Sequence, residues 1–209
     1  MRMSGLRALF SSAVFGLALS LMAAPGNATS VDDAKHFIDT LGKQAFSTLQ
    51  QENLSLEQRE RVFGDFLRSG FDLGLIGRFV LGKYWRQTND EQKADYIDAF
   101  SSFIIKTYAR RLGGFSGQTF TITGSVVTGQ KKDVMVKTRI DRPSGPPIEA
   151  AWRVREINGQ NKIIDVVVEG VSMAVTQRQE FAAVVGRDGV EGLVQVLRAQ
   201  TERLSVTAG

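Results

Sequence analysis

Hydrophobic positions follow a helical period in the first half of the chain. Between residues 31 and 112 apolar side chains recur every three or four positions, as at Phe37, Ile38 and Leu41. This spacing predicts four helices, the first running from about Val31 to Gln51. The predicted caps are Ser30 or Asp32 for the first helix, Ser55 with Gln58 for the second, Asp72 for the third, and Thr88 with Glu91 for the fourth.

After Gly117 the period changes from helical to alternating. Three segments near residues 119–126, 134–140 and 148–155 place an apolar or small residue at every second position, which is typical of half-buried strands. In the first segment Phe120, Ile122, Gly124 and Val126 are predicted to share one face. Asn158-Gly159 predicts a two-residue hairpin turn into a fourth strand. Short connections between all four strands predict an antiparallel meander with one apolar face.

The fourth strand, Ile163 to Val168, is predicted to lead directly into a C-terminal helix. Ile164, Val166 and Val168 are predicted to share its apolar face. Gly170 suits the turn that follows, and Ser172 can cap the helix. We expect this helix to break at Gly186 and a last helix to begin at Asp188. Helices packed over one face of such a sheet give a single α+β domain with room for a cavity between helices and sheet.

The N-terminus has the order of charged, apolar and small residues found in secretory signals. Arg2 and Arg7 precede an apolar run, and cleavage is predicted after Ala28, leaving residues 29–209 as one domain. We therefore expect export to the periplasm. Loss of Arg2 and Arg7 would lower the net charge from +4 to +2, which does not favour nucleic-acid binding. With no cysteine, the fold has to be stable without disulfides.

The chain contains few residues suited to catalysis. The one histidine, His36, is predicted to be an exposed helix residue, and no His/Cys metal site or glycine-rich phosphate loop is present. Asp165 and Glu169 lie four residues apart on one strand, which is compatible with general-base catalysis but is more often a salt bridge or a cap. We expect no cofactor and no metal. A roll-fold enzyme using Asp165 or Glu169 stays an alternative.

Several short motifs resemble the MlaC family, also called the toluene-tolerance auxiliary family. The resemblance covers about residues 35 to 198, and its most specific blocks are Leu-Gly-x-Tyr-Trp and Glu-Gly-Val-Ser. The matching positions are Phe71-Asp72, Val80-Leu81-Gly82-Lys83-Tyr84-Trp85-Arg86, Gln92, Tyr108, Gly117-Gln118, Asp165, Val168 to Met173, and Gly189 to Leu193.

The resemblance implies a periplasmic phospholipid carrier that maintains outer-membrane lipid asymmetry. It implies a fold related to the nuclear-transport-factor-2 (NTF2) roll, with lipid tails between sheet and helices. It also implies two partners, an outer-membrane lipoprotein complex and an inner-membrane ABC transporter with a ring-forming lipid-binding subunit. Relatives occur beside hopanoid genes, so a hopanoid or another hydrophobic ligand is the alternative cargo.

Tail-binding positions in this family do not form a motif, and we therefore place them from helix and strand phase. The predicted lipid-binding residues are Leu75, Phe79, Val80, Trp85, Phe100, Phe103, Ile104, Trp152, Val154, Val166, Val168 and Met173. Lys83 and Arg86, beside two aromatic residues, are predicted to lie at the mouth near the lipid phosphate. Each apolar residue in this set is also compatible with an ordinary place in the core.

Overall fold

A computed structural model describes residues 29–49, 54–112, 118–131 and 133–206. The helices are α1 (Val31–Leu49), α2 (Leu56–Gly70), α3 (Leu73–Leu81), α4 (Asp90–Leu112) and α5 (Met173–Val206), with a 3₁₀-helix over Gly82–Gln87. The strands are β1 (Thr119–Thr128), β2 (Asp133–Asp141), β3 (Ile148–Ile157), β4 (Gln160–Val168) and β5 (Val171–Ser172). The α+β prediction is confirmed. The predicted signal segment, residues 1–28, and Gly117 lie outside the described residues.

Side chains cap most helices at the predicted places. Ser55 and Gln58 form the capping box of α2, and the Asp72 carboxylate accepts a 2.7 Å hydrogen bond from the Leu75 N–H at the start of α3. The predicted box at Thr88 and Glu91 is wrong. Asn89 and Gln92 form it one residue later, because the Thr88 hydroxyl donates to the Tyr84 carbonyl oxygen instead.

The five strands pair in sequence order as one antiparallel sheet. Asn158 and Gly159 have φ values of 53° and 76°, which gives the predicted tight hairpin between β3 and β4. Glu169 and Gly170 repeat this left-handed pair, with φ values of 49° and 81°. The chain therefore turns back after β4 and adds the two-residue strand β5, so the expectation of four strands with direct entry into the helix is wrong in this detail.

Two β-bulges change which residues share a face. In β4 the partner of Trp152 is Val166 but the partner of Val154 is Ile163, so one extra residue is inserted between them. Ile163, and not the predicted Ile164, therefore joins Val166 on the helix-facing side. A shift between Ile122 and Gly124 likewise moves Val126, which is 50% exposed, away from the face of Ile122.

Two main hydrophobic clusters hold the helices in place. Residues of α1 such as Ile38 pack on Val134, Val136 and Val154 of the sheet. The second cluster joins α3, α4 and α5.

The helical conformation of α5 is interrupted at Gly189, where φ is 70° and ψ is −178°, so the break predicted at Gly186 comes three residues later. Within the described residues no helix is long and apolar enough to cross a membrane.

A buried carboxylate sits at the start of β2. Asp133 accepts hydrogen bonds of 2.7 Å from Arg153 and from Arg155, two residues apart on β3. Burial alone would raise the pKa of Asp133, but the hydrogen bonds from Arg155 and Arg153 outweigh that effect and hold its pKa below the ordinary value. The charge cluster ties β2 to β3.

Candidate functional site

A cavity of about 330 Å³ lies between the helices and the sheet. The helical wall consists of Ile38, Leu41, Gly42, Ala45, Phe46, Phe63, Phe66, Leu67, Leu73, Ile76, Val80, Phe100, Ile104, Tyr108, Met173, Ala174 and Gln177. Phe71 and the sheet residues Phe120, Ile140, Ile148, Ala150, Trp152, Ile163, Asp165, Val166 and Val168 complete the lining. This lining is almost wholly apolar, and it contains no lysine or arginine among the described residues.

Aromatic side chains form a continuous line of contacts along one side of the cavity. Ring centroids lie 5.5 Å apart between Phe63 and Phe66, 6.4 Å between Phe66 and Phe71, and 6.5 Å between Phe71 and Trp152. These contacts run from α2 to β3. The junction of α2 and α3 is fixed to β4 as well, because the Asp72 N–H donates a 3.0 Å hydrogen bond to the Ile163 carbonyl oxygen. The ring contacts and this hydrogen bond together fix the α2–α3 part of the cavity wall to the sheet.

A glycine permits the close approach of α1 to β1. A side chain at Gly42 would bring its first carbon within 2.7 Å of the Phe120 ring, closer than carbon atoms pack. The Phe120 ring in turn lies 5.8 Å from that of Phe46. Two aromatic rings therefore line the cavity where α1 meets β1.

The polar atoms near the cavity are paired within the protein. The Trp152 indole N–H donates a 2.9 Å hydrogen bond to the Thr138 hydroxyl, which itself donates to the Ala150 carbonyl oxygen. The Asp165 carboxylate accepts bonds of 2.6 Å from the Ser172 hydroxyl and 3.1 Å from the Ala174 N–H at the start of α5. Such pairing leaves a cavity surface that favours hydrocarbon over water.

The twelve predicted lipid-binding residues divide into two groups in the structure. Val80, Phe100, Ile104, Trp152, Val166, Val168 and Met173 line the cavity, and Leu75, Phe79, Trp85, Phe103 and Val154 do not. Val154 packs beneath α1, Phe103 contacts Phe181 between α4 and α5, and Phe79 is 43% exposed. Contact of any of these residues with lipid stays a prediction.

The predicted cations of the mouth are placed away from the cavity lining. Lys83 and Arg86 are exposed on the 3₁₀-helix, and neither is among the lining residues. The ammonium of Lys83 lies 5.1 Å from the centre of the Tyr84 ring. A role for these two cations beside a bound phosphate therefore has no support from their position.

Helices α1 and α2 contribute to the cavity wall, although the sequence did not predict this. Leu41, Ala45 and Phe46 of α1 and Phe63 and Phe66 of α2 all line the cavity. Their helical spacing predicts that they face the interior. Because the N-terminal helices are also expected to cover the apolar face of the sheet, these two observations together could have assigned the residues to the cavity. Ile140 and Ile148, paired across β2 and β3, were missed in the same way.

Asp165 and Glu169 each have a structural hydrogen bond. Glu169 lies exposed in the turn before β5, where its carboxylate accepts a 2.8 Å bond from the Glu149 N–H. Asp165 is bonded to the first turn of α5, as described above. The two carboxylates are thus engaged separately. Among the described residues no three His, Asp or Glu side chains cluster closely enough to hold a metal ion.

The matches to known proteins include a family model, a curated relative and a solved structure. The family model described as MlaC protein matches residues 39–199. The intermembrane phospholipid transport system binding protein MlaC of Haemophilus influenzae is 25% identical over 156 residues, covering 71% of this chain and 73% of that protein. The solved structure of a phospholipid-binding protein from Ralstonia solanacearum, in complex with a phospholipid, superposes with a TM-score of 0.73 at 24% identity, over 82% of this chain and 98% of that chain.

Proposed function

This chain belongs to the MlaC family, and we propose that it binds a phospholipid by its tails and carries it between the membranes of the bacterial envelope. The name of the Haemophilus influenzae relative, a binding protein of an intermembrane phospholipid transport system, supports this function. The observation that carries the proposal is the apolar cavity of about 330 Å³.

The energetics of lipid transfer explain why a cavity without reactive groups suffices. Exposing an acyl chain to water costs about 0.8 kcal/mol per methylene, so two chains cost on the order of 20 kcal/mol. A carrier lowers this cost by covering the chains while they cross water. It needs an apolar surface that closes over the tails and no catalytic residue. We therefore propose that the protein is not an enzyme and needs no cofactor.

The cavity lining suggests how the lipid is oriented. With no lysine or arginine among the described lining residues, the cavity offers hydrocarbon to the tails and no ion pair to a phosphate. The seven lining residues that the sequence predicted, with the walls of α1 and α2, are the proposed tail contacts. The head group is proposed to remain in water.

Location and partners extend this proposal to the cell. We propose that residues 1–28 direct export to the periplasm and that residues 29–209 form the carrier domain. The partners would be an outer-membrane lipoprotein complex and an inner-membrane ABC transporter with a ring-forming lipid-binding subunit. These assignments rest on family membership and on the N-terminal sequence.

Native mass spectrometry of protein purified from a bacterial envelope without detergent tests the proposal. We expect a population heavier by the mass of one two-tailed phospholipid, and a lower melting temperature after the lipid is stripped, because a ligand bound only to the folded state stabilises it. A mass increase that matches a hopanoid would identify a hopanoid, and not a phospholipid, as the cargo. Absence of bound lipid, together with no transfer between vesicles, would contradict a carrier function.

A further inference from the structure

Four exposed cations on α3, the 3₁₀-helix and α5 contact aromatic rings or lie beside them. Arg78 lies 5.9 Å from the centre of the Trp85 ring, Lys83 lies 5.1 Å from Tyr84, and Arg178 lies 5.1 Å from Phe79. Arg86 is exposed on the same 3₁₀-helix. In the described part of the chain none of the four makes a salt bridge.

Cations elsewhere on the protein are more often paired. Lys43, Lys93, Lys106, Arg139 and Arg198, for example, each reach a carboxylate. From Leu73 to Asn89 the chain has three basic residues and no acidic one. This segment therefore presents a local excess of positive charge, although the net charge of the whole chain is only +4.

Exposed apolar side chains adjoin these cations. Phe79 is 43% exposed beneath the Arg178 guanidinium, and Val175, one turn before Arg178 on α5, is 42% exposed. Val171, in the strand that enters α5, is 52% exposed. We call the surface formed by Arg78, Phe79, Lys83, Arg86, Val171, Val175 and Arg178 the α3–α5 patch.

We propose that the α3–α5 patch docks the protein onto a bilayer that contains anionic phospholipid. Unpaired lysine and arginine side chains are attracted to anionic head groups, and apolar side chains beside them enter the boundary of the acyl region. Phe79 with Arg178 has the aromatic-and-cation chemistry of that boundary. Two exposed carboxylates nearby, Glu169 and Glu180, accept hydrogen bonds from the neutral Glu149 N–H and Gln177 amide and keep their negative charge. The four cations of the patch outnumber them, so the surface stays positively charged.

The position of the patch connects docking to lipid uptake. Ile76 and Val80 line the cavity from the side of α3 that faces inward, and Met173 lines it from the first turn of α5. The patch residues of these two helices, Arg78, Phe79, Val175 and Arg178, are exposed, and the 3₁₀-helix and β5 that adjoin the helices carry the rest of the patch. Docking would therefore bring the wall of the tail cavity close to the bilayer. This inference rests on the proposed function, since only a lipid carrier gains from that placement.

Co-sedimentation with vesicles tests the patch directly. Vesicles of phosphatidylethanolamine with phosphatidylglycerol should bind the protein, and vesicles of phosphatidylcholine alone should bind it far less. Each cation near an anionic surface strengthens association about fivefold, so Lys83→Gln with Arg86→Gln should weaken it about 25-fold. Raising the salt concentration from about 0.05 M to about 0.5 M should weaken wild-type binding as well, because the charges are then screened.

The matched control removes two exposed cations from another part of the surface. Lys131→Gln with Lys137→Gln changes the net charge equally and should leave vesicle binding within about twofold of wild type. Equal loss in both double variants would show a net-charge effect and overturn the patch. Phe79→Ser should also weaken binding, and no change would remove the apolar part of the proposal.

Native mass spectrometry of the same variants separates the two proposals. Neither cation lines the cavity, so we expect Lys83→Gln with Arg86→Gln to retain bound lipid. Wild-type protein that carries lipid but binds no anionic vesicle would overturn membrane docking and leave the carrier function intact. That outcome would also direct the search toward an acidic protein surface as the partner of the patch.

Discussion

The indole nitrogen of Trp152 lies 2.9 Å from the hydroxyl oxygen of Thr138, and it donates a hydrogen bond to that oxygen. Thr138 is fully buried on β2, and its hydroxyl donates in turn to the Ala150 carbonyl oxygen on β3. The short chain of bonds gives the N–H of a large cavity-lining side chain a partner inside the sheet. An apolar cavity depends on such pairing, because an unpaired N–H would favour water inside it.

Thr138→Val should therefore destabilise the protein. The substitution preserves shape but leaves the Trp152 N–H without its acceptor, which costs about 1–3 kcal/mol in the free energy of unfolding. Urea unfolding of wild type and variant measures this difference in the free energy of unfolding. Thr121→Val, on the exposed side of β1, is the control and should change stability by less than about 0.5 kcal/mol. Equal stabilities for the two variants would show that the Trp152 bond does not contribute.

The Asp133 cluster predicts how stability depends on pH. Its pKa is lower in the folded than in the unfolded protein, where it is about 3.9, so the unfolded state takes up the proton first as pH falls. The stabilisation is present above about pH 4 and is lost as pH falls through the lower, folded-state pKa. Unfolding measured from neutral to acid pH should show this loss.

Asp133→Asn should remove the acid-dependent part of the protein's stability that comes from this carboxylate. The Asp133 carboxylate is fully buried, but the side chains of Arg153 and Arg155 are 37% and 19% exposed, so water replaces part of the lost interaction and stability at neutral pH should fall by about 1–3 kcal/mol. Asp141→Asn is the control on the same strand. It breaks an ion pair with Arg139 whose two side chains are 46% and 47% exposed, worth about 0–1 kcal/mol. An acid profile that is identical in wild type and Asp133→Asn would contradict the assignment.

Two glycines of α3 give opposite expectations. At Gly77 a methyl group would lie 2.7 Å from the Ile97 side chain and 3.0 Å from the Phe100 ring, which lines the cavity. At Gly74 the nearest atom would be an Asp72 oxygen at 3.5 Å. Gly74→Ala should stabilise the protein by up to about 1 kcal/mol through helix propensity. Gly77→Ala should be less stable than Gly74→Ala by about 2 kcal/mol through overpacking, and equal melting temperatures would contradict this contact.

A carboxylate on the cavity wall should reduce lipid binding. Val166 lines the cavity, so Val166→Glu would place a charge, or a neutral acid with a raised pKa, among the proposed tails. We expect a several-fold lower lipid-bound fraction by native mass spectrometry. Val167→Glu is the control, because Val167 is the next residue of β4 and is not in the lining. Unchanged lipid content in Val166→Glu would show that tails do not contact this strand.

The sequence predicted the elements of the fold well because their signals are local. Ser55 with Gln58, Asp72, and Asn158-Gly159 each fix a cap or a turn through neighbouring residues. The face of β4 was not predictable in this way. Its bulge is defined by pairing with β3, and a strand with apolar residues at both Ile163 and Ile164 has no alternation that reveals the extra residue. The sequence also could not predict that α5 breaks at Gly189 and not at Gly186, because either glycine can end a helix.

The candidate site was only partly predictable, because a strongly apolar helix does not reveal its orientation. In α3 nearly every side chain is apolar, so Leu75 and Phe79 were as plausible a cavity face as Leu73 and Ile76. The structure resolves the phase: Leu73, Ile76 and Val80 line the cavity. Val154 illustrates a second cause, since strand phase placed it on the correct face but not under α1, which fills that end of the sheet.

Photo-crosslinking of bound lipid tests the central claim, that the tails of a phospholipid lie in this cavity, most directly. A benzophenone amino acid would replace Tyr108 or Phe46, two aromatic lining residues, and separately Tyr84, an aromatic residue of the 3₁₀-helix that is not in the lining. The protein would be purified without detergent, irradiated and analysed by mass spectrometry. Lipid adducts at positions 108 and 46 and none at position 84 are the predicted result. Lipid-bound protein that gives adducts at position 84 but none at positions 108 and 46 would contradict the claim.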